Sequence, residues 1–309
     1  MIRHVMVLSV ALLLVSGCVF DPLSALYACL AATLDRMQDD RPLVNVQVTE
    51  YQDPNAFARV MGALEDRGII ATILTKPDFV TENCETISSL YANGYEVMAF
   101  ARPETSEGDS TTLSELTRAE QEAYITEIKT GIEDCLDVTI EGFRCTRFDQ
   151  NEDTYEILDG LGFAYNLGFV ARTERCLSGR SEETLPYRVP EYDFWAVPMH
   201  SVYLDGDWVA FCDNPLMSRM EPAEWGALLC SELDRMNSLG HPLLLEVHPY
   251  NTGADDEKFA AFEDFLDYAI EQNARFITIA ELVEWAQQQT ADTSDGTQGP
   301  SGNSGCSCD

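Results

Sequence analysis

Short apolar runs alternate with longer amphipathic stretches from residue 43 to residue 289. "LVNVQV" (43–48), "IIATIL" (69–74), "YEVMAF" (95–100), "IEGFRC" (140–145), "FAYNLGF" (163–169), "PLLLEVHPY" (242–250) and "RFITIA" (275–280) have the length and composition of strands. "FWAVPMHSVYL" (194–204) holds one or two more. Between them lie helical patterns at 53–68, 82–94, 116–136, 151–162, 222–240, 256–273 and 280–289. The first is bounded by Asp53 as its cap, Pro54 in its first turn and Gly68 just beyond its end. The run at 242–250 is nearly all apolar, as in a parallel strand covered on both faces. Alternating β and α units without a glycine-rich phosphate loop predict an α/β fold, a (β/α) barrel rather than a doubly wound sheet.

The ends of the chain read differently. Residues 1–17 have a short basic start and an apolar run, "VMVLSVALLLV", too short to span a membrane permanently. "VSGC" (15–18) ends in small residues before Cys18, as at a lipoprotein cleavage and lipidation site. Cys18 is therefore expected to carry an acyl anchor; a plain signal peptide with Cys18 as a bystander is the alternative. Residues 18–42 form the anchor and a lead-in helix at 24–38, and residues 290–309 read as a disordered Ser/Thr/Gly-rich tail. The expected location is the cell envelope, facing outward from the membrane.

The net charge is −34, from 53 acidic and 19 basic residues, of which only Lys76, Lys129 and Lys258 are lysines. Such a field repels nucleic acid and anionic membrane surfaces, and both are set aside as partners. A protein of high salt and an ordinary acidic exported protein both fit it. Six cysteines from Cys84 to Cys230 lie in the folded part without a C-x-x-C pair, which favours disulfides over a zinc site. Cys306 and Cys308 form a C-x-C on the tail.

A barrel places its chemistry at the carboxyl ends of its strands. Those ends carry Thr49 and Glu50, Phe100 and Glu104, Arg144 and Arg147, and His248, while Asp193, Trp195 and His200 lie around the strand near 195. Six stretches, in order, resemble the polysaccharide deacetylase family, the NodB-homology domain of carbohydrate esterase family 4. They are "VNVQVTEY", "GIIATILTKPDFV", "LYANGYEVMAF", "GFRCTRFDQNEDTYEILDGLGFAYN", "GHPLLLEVHPY" and "FITIAELVEW". The resemblance implies a distorted seven- or eight-stranded barrel over 43–289. In that family one Asp and two His bind a metal, a second Asp acts as base beside an Arg, and a late His is the acid.

Carried over, the base position is Thr49, the metal positions are Glu50, Phe100 and Glu104, and the Pro expected after the Arg is Thr146. Arg144 and His248 are kept, with Asp193 as the implied acidic partner. Phe100 cannot ligate, so no cofactor is expected; Glu50 and Glu104 are weak candidates for a hard divalent ion in a rebuilt site. The resemblance thus implies a degenerate member that binds a carbohydrate or cell-wall polymer. Arg144, Asp193 and His248 would make polar contacts, and Tyr51, Phe100, Trp195 and Tyr250 would offer stacking faces. An active hydrolase using Glu50 or Glu104 with His248, and a structural envelope lipoprotein, are the alternatives.

Overall fold

A computed structural model describes residues 41–49, 53–104 and 110–295, with side chains to residue 290. The expected signal, lipidation site and lead-in helix, as well as Glu50, Tyr51, Cys306 and Cys308, lie outside the described residues.

Strands β1 (Leu43–Thr49), β2 (Thr72–Thr75), β3 (Glu96–Ala101), β4 (Gly142–Cys145), β5 (Tyr165–Val170), β7 (Trp195–Met199) and β10 (Leu243–Val247) form one curled parallel sheet, in the order β10-β1-β2-β3-β4-β5-β7. Two-residue β6 (Tyr187–Arg188) closes one edge in antiparallel pairing, and β11 (Arg275–Phe276) pairs with the start of β1. This is the expected distorted (β/α) barrel. Helices α1 (Pro54–Glu65), α2 (Pro77–Ala92), α3 (Arg118–Leu136) and α4 (Glu152–Gly160) follow successive strands, and α6 (Pro222–Ser238) and α8 (Asp256–Glu271) flank β10 in sequence. Short α5 (Asp213–Met217) and α7 (Pro249–Thr252) sit before α6 and after β10. The last helix, α9 (Ile279–Asp295), continues six residues beyond the expected start of the tail.

Local chemistry sets these boundaries. Asp53 accepts hydrogen bonds from the amides of Asn55 and Ala56 at 3.0 Å, with Pro54 at the first helical position. α2 starts at Pro77, five residues before the sequence pattern suggests, because Pro77 occupies a position where no amide is needed. Cys84 on α2 and Cys135 on α3 form a disulfide, while Cys145, Cys176, Cys212 and Cys230 are free thiols among the described residues.

β1 is buried on both faces. Val44, Val46 and Val48 pack in the main core, and Asn45, Gln47 and Thr49 form a buried polar row on the other face. Asn45 donates to Thr72 Oγ1 (3.0 Å) and to the Ile277 carbonyl (2.8 Å). Alternation that ordinarily marks a half-solvated strand here marks one side against the helices and one inside the barrel.

An antiparallel hairpin, β8 (Ser201–Leu204) and β9 (Asp207–Ala210), rises after β7. It turns on Asp205 (φ 53°) and Gly206 (φ 94°), the Asp-Gly pair that a tight primed turn requires. After the hairpin the chain fills the gap between β7 and β10. The Phe211 amide donates to the His200 carbonyl (2.8 Å), and the Glu246 amide donates to the Phe211 carbonyl (3.2 Å). Two hydrogen bonds, both through Phe211, thus bridge the two ends of the curled sheet.

Candidate functional site

Inward-facing side chains at the carboxyl ends of β3, β4 and β10 meet beneath a cleft of about 920 Å³. Register decides which residues these are. Phe100 pairs with Arg144 across β3 and β4, and Gln47 pairs with Glu246 across β1 and β10. With a side-chain period of two, Glu246 and His248 then share a face.

Arg144 and Glu246 form the centre. Both are almost fully buried, and Arg144 Nη2 lies 2.8 Å from Glu246 Oε2. The Arg144 guanidinium stacks 3.5 Å over the Phe148 ring and also donates to the Cys145 carbonyl. Thr49 Oγ1 donates to Glu246 Oε1 at 3.2 Å. Burial alone pushes the Glu246 carboxyl up, but Arg144, His248 and Thr49 together outweigh it and hold the carboxyl below the usual carboxylate range.

His248 is the second member. Its Nδ1 lies 2.6 Å from Asp213 Oδ1, its amide donates to Asp213 Oδ2 (2.9 Å), and its Nε2 lies 3.8 Å from Glu246 Oε1. Asp213 is fully buried and also accepts from Thr252 Oγ1 at 2.6 Å. Burial disfavours the imidazolium, yet Asp213 and then Glu246 outweigh it, so His248 holds its proton more tightly than a free imidazole.

The positions carried over from the resemblance fall in several places. Arg144, His248, Phe100 and Tyr250 line the cleft. Asp193 does not join them: it is exposed between β6 and β7 and pairs with Arg188. Asp213, not Asp193, orients His248. Trp195 starts β7, at the amino end of the sheet opposite the cleft, and the indole at the cleft is Trp208 on the hairpin. Glu104 is half-exposed, with its carboxylate 3.8 Å from Lys76 Nζ. His200 follows β7, but its ring faces away to Glu232 Oε2 on α6 (2.9 Å).

Phe100 puts a buried phenyl ring at a position that would need an imidazole, and Thr49 puts a hydroxyl where the base carboxylate would stand. These residues do not fit the metal of the resembling family. Among the described residues one other trio brings metal-ligating types together. Cys212 Sγ, Asp213 and His248 Nδ1 lie within 4.8 Å of one another. They are already hydrogen-bonded to each other, and burial, with Glu246 and Asp213 nearby, raises the Cys212 thiol well above its usual value, which opposes a thiolate ligand.

Glu246 and Asp213 escape a sequence reading for different reasons. Glu246 is a lone charge inside an apolar strand two residues before His248, and that oddity is its signal. Asp213 precedes Asn-Pro and reads as a turn.

A curled parallel sheet with helices around it and polar groups at its carboxyl ends is the NodB-like fold of the polysaccharide deacetylases. Solved structures show the same arrangement. A protein from Mycobacterium smegmatis designated a polysaccharide deacetylase superposes with a TM-score of 0.61 at 17% identity, over 82% of this chain and 93% of that one. One from Pseudomonas aeruginosa PAO1, also designated a polysaccharide deacetylase, gives 0.61 at 14% identity, over 79% and 91%. PuuE allantoinase gives 0.61 at 12% identity, over 80% and 91%. No protein-family profile matches the chain, and no curated protein does. Identities this low establish the fold, and a fold that also carries an allantoinase does not name the bond acted on.

Proposed function

We propose that the chain binds a carbohydrate polymer in the cleft at the strand ends and has given up metal-dependent deacetylation. The carrying observation is the pairing of a retained cleft with a replaced ligand set. Phe100 and Thr49 stand at metal and base positions, while Trp208, Tyr250 and Phe148 offer aromatic surface and Arg144 and His248 polar contacts. The sequence of residues 1–18 supports an exported lipoprotein anchored at Cys18, which would present this cleft to polymers of the envelope.

Trp208→Ala and Trp195→Ala test the reading. Calorimetric or array binding of glycans should weaken about tenfold for Trp208→Ala, in line with one lost aromatic contact, and stay within twofold for Trp195→Ala. Equal binding by both variants and wild type refutes the assignment.

A second reading has one observation in its favour. Glu246 Oε1 and His248 Nε2 are 3.8 Å apart, close enough for a carboxylate base and an imidazolium acid to serve one hydrolysed bond without a metal. Acetate release from acetylated glycans, insensitive to chelator and abolished in His248→Ala, would select it over binding alone.

A further inference from the structure

The cleft reverses the sign of the chain's charge. Six of the sixteen arginines line it (Arg102, Arg144, Arg147, Arg172, Arg175 and Arg219), against the three carboxylates Glu174, Asp207 and Glu246. Two of the arginines are neutralised within the protein, Arg144 by Glu246 and Arg175 by Asp149 at 2.7 Å. Arg147, Arg172 and Arg219 form no ion pair with any described residue, in a chain with nearly three carboxylates for each basic group.

We propose that the polymer bound in this cleft is an anionic glycan, its acidic substituents held by Arg147, Arg172 and Arg219 beside Trp208. The inference rests on the carbohydrate reading above and specifies its substrate class. Guanidinium groups are fork-shaped donors matched to carboxylate, sulfate and phosphate oxygens, and a shared anion relieves the repulsion of several cations in one cleft.

The backbone supports the aim of these side chains. Arg147 (φ 55°) and Arg172 (φ 61°) both adopt the left-handed region, which non-glycine residues seldom occupy. Arg172 is fixed further by its amide, which donates to the Ser181 carbonyl at 2.7 Å, and by its guanidinium, 4.6 Å from the Trp208 ring centre. Trp208 in turn meets Tyr203 edge to face at 5.4 Å. An apolar sugar face and an acidic substituent would thus be met by adjacent groups.

The observations favour a glycan over nucleic acid. A nucleic acid strand carries a charge at every nucleotide and beyond the cleft would run against a chain of net charge −34, whereas a glycan with neutral sugars between its acidic ones places charge only where the arginines meet it.

The test measures binding of the full chain at 0.15 M salt to four probes: a uronic-acid hexasaccharide, its carboxyl-reduced counterpart, a sulfated hexasaccharide and a DNA hexanucleotide. The acidic or the sulfated sugar should bind at least tenfold tighter than the reduced one, and comparing the two names the anion. In the double variant Arg147→Gln/Arg219→Gln, checked for an unchanged thermal midpoint, that ratio should fall to within about threefold; Arg219→Gln alone serves if the double variant does not fold. Equal affinity for acidic and reduced sugars overturns this inference and leaves the carbohydrate reading standing. Binding of no sugar overturns both. Tightest binding of the hexanucleotide, or a ratio unmoved in the variants, also overturns it.

Discussion

Glu246→Gln isolates the central ion pair. The substitution keeps the side chain's shape and leaves Arg144 charged, nearly fully buried and without its carboxylate. At 2.8 Å and an effective dielectric constant of about 20, the attraction between the two groups is about 6 kcal/mol. Most of that is offset by the desolvation both ions suffer, so the net worth of the pair against an apolar pair is small. Removing one partner is different, because the remaining charge keeps its desolvation cost. The expected loss is about 3–5 kcal/mol. For a domain of this size that lowers the melting temperature by roughly 6–20 °C. Urea and thermal unfolding followed by circular dichroism would measure it. The double variant Arg144→Met/Glu246→Leu should recover much of the loss, since neither charge remains.

The pH dependence gives a second check. The folded Glu246 carboxyl is held below its usual range, so the pair's contribution is complete above the unfolded value of about 4.3 and fades as the pH falls from there through the lower folded value. The gap between wild type and variant should therefore not shrink as the pH falls from 8 to 5, widening somewhat as His248 takes up its proton beside Glu246, and should close in stronger acid. A melting-temperature change below about 2 °C at pH 7, or a gap that closes between pH 8 and 5, would refute the buried pair.

Other perturbations probe the surroundings. Asp213→Asn should lower the His248 titration midpoint seen by NMR; in wild type the raised value means that stability complete below about pH 6.5 is lost as the pH rises through the folded midpoint, and the variant should lack that slope. Cys84→Ser removes a crosslink spanning 51 positions and should cost about 4 kcal/mol by denaturant unfolding while leaving glycan binding unchanged. Glu96→Ala should cost about 2 kcal/mol, because Glu96 accepts the amides of Ile279 (2.7 Å) and Ala280 (3.2 Å) at the start of α9 and the Thr72 hydroxyl (2.7 Å); an unchanged unfolding midpoint would refute that anchoring role.

The barrel is legible in the sequence because its elements announce themselves one at a time. Asp53 and Pro54 open a helix, Gly68 follows it, and 242–250 is apolar throughout. The strands not foreseen are two-residue β6 and β9, although Asp205-Gly206 carries a hairpin signal for the latter. The site is legible only where one strand end declares a residue by itself, as Arg144 and His248 do. Partners are set by register and by closure of the sheet, which no local pattern records. Asp193 stands among aromatics and suggests a buried partner, yet it lies on the surface beside Arg188, and Asp213 reaches His248 from the start of α5, 35 residues earlier in the chain. Trp195 draws attention by its neighbours in sequence, whereas strand direction puts it at the far end from Trp208. Glu246 takes its place beside Arg144 because β10 is aligned with β1 so that Gln47 faces Glu246.

The bridge across the open side of the sheet has a bearing on how the molecule would fail. Phe211 carries the hydrogen bonds of that bridge, and Cys212 and Asp213, the next two residues, touch His248. Loosening of this strip by local opening, well short of global unfolding, would separate Asp213 from His248 and tilt the hairpin that bears Trp208. Competence of the cleft would then be lost in a transition of its own, at lower temperature or denaturant than loss of helical signal. The barrel's last seam would be its thermal fuse.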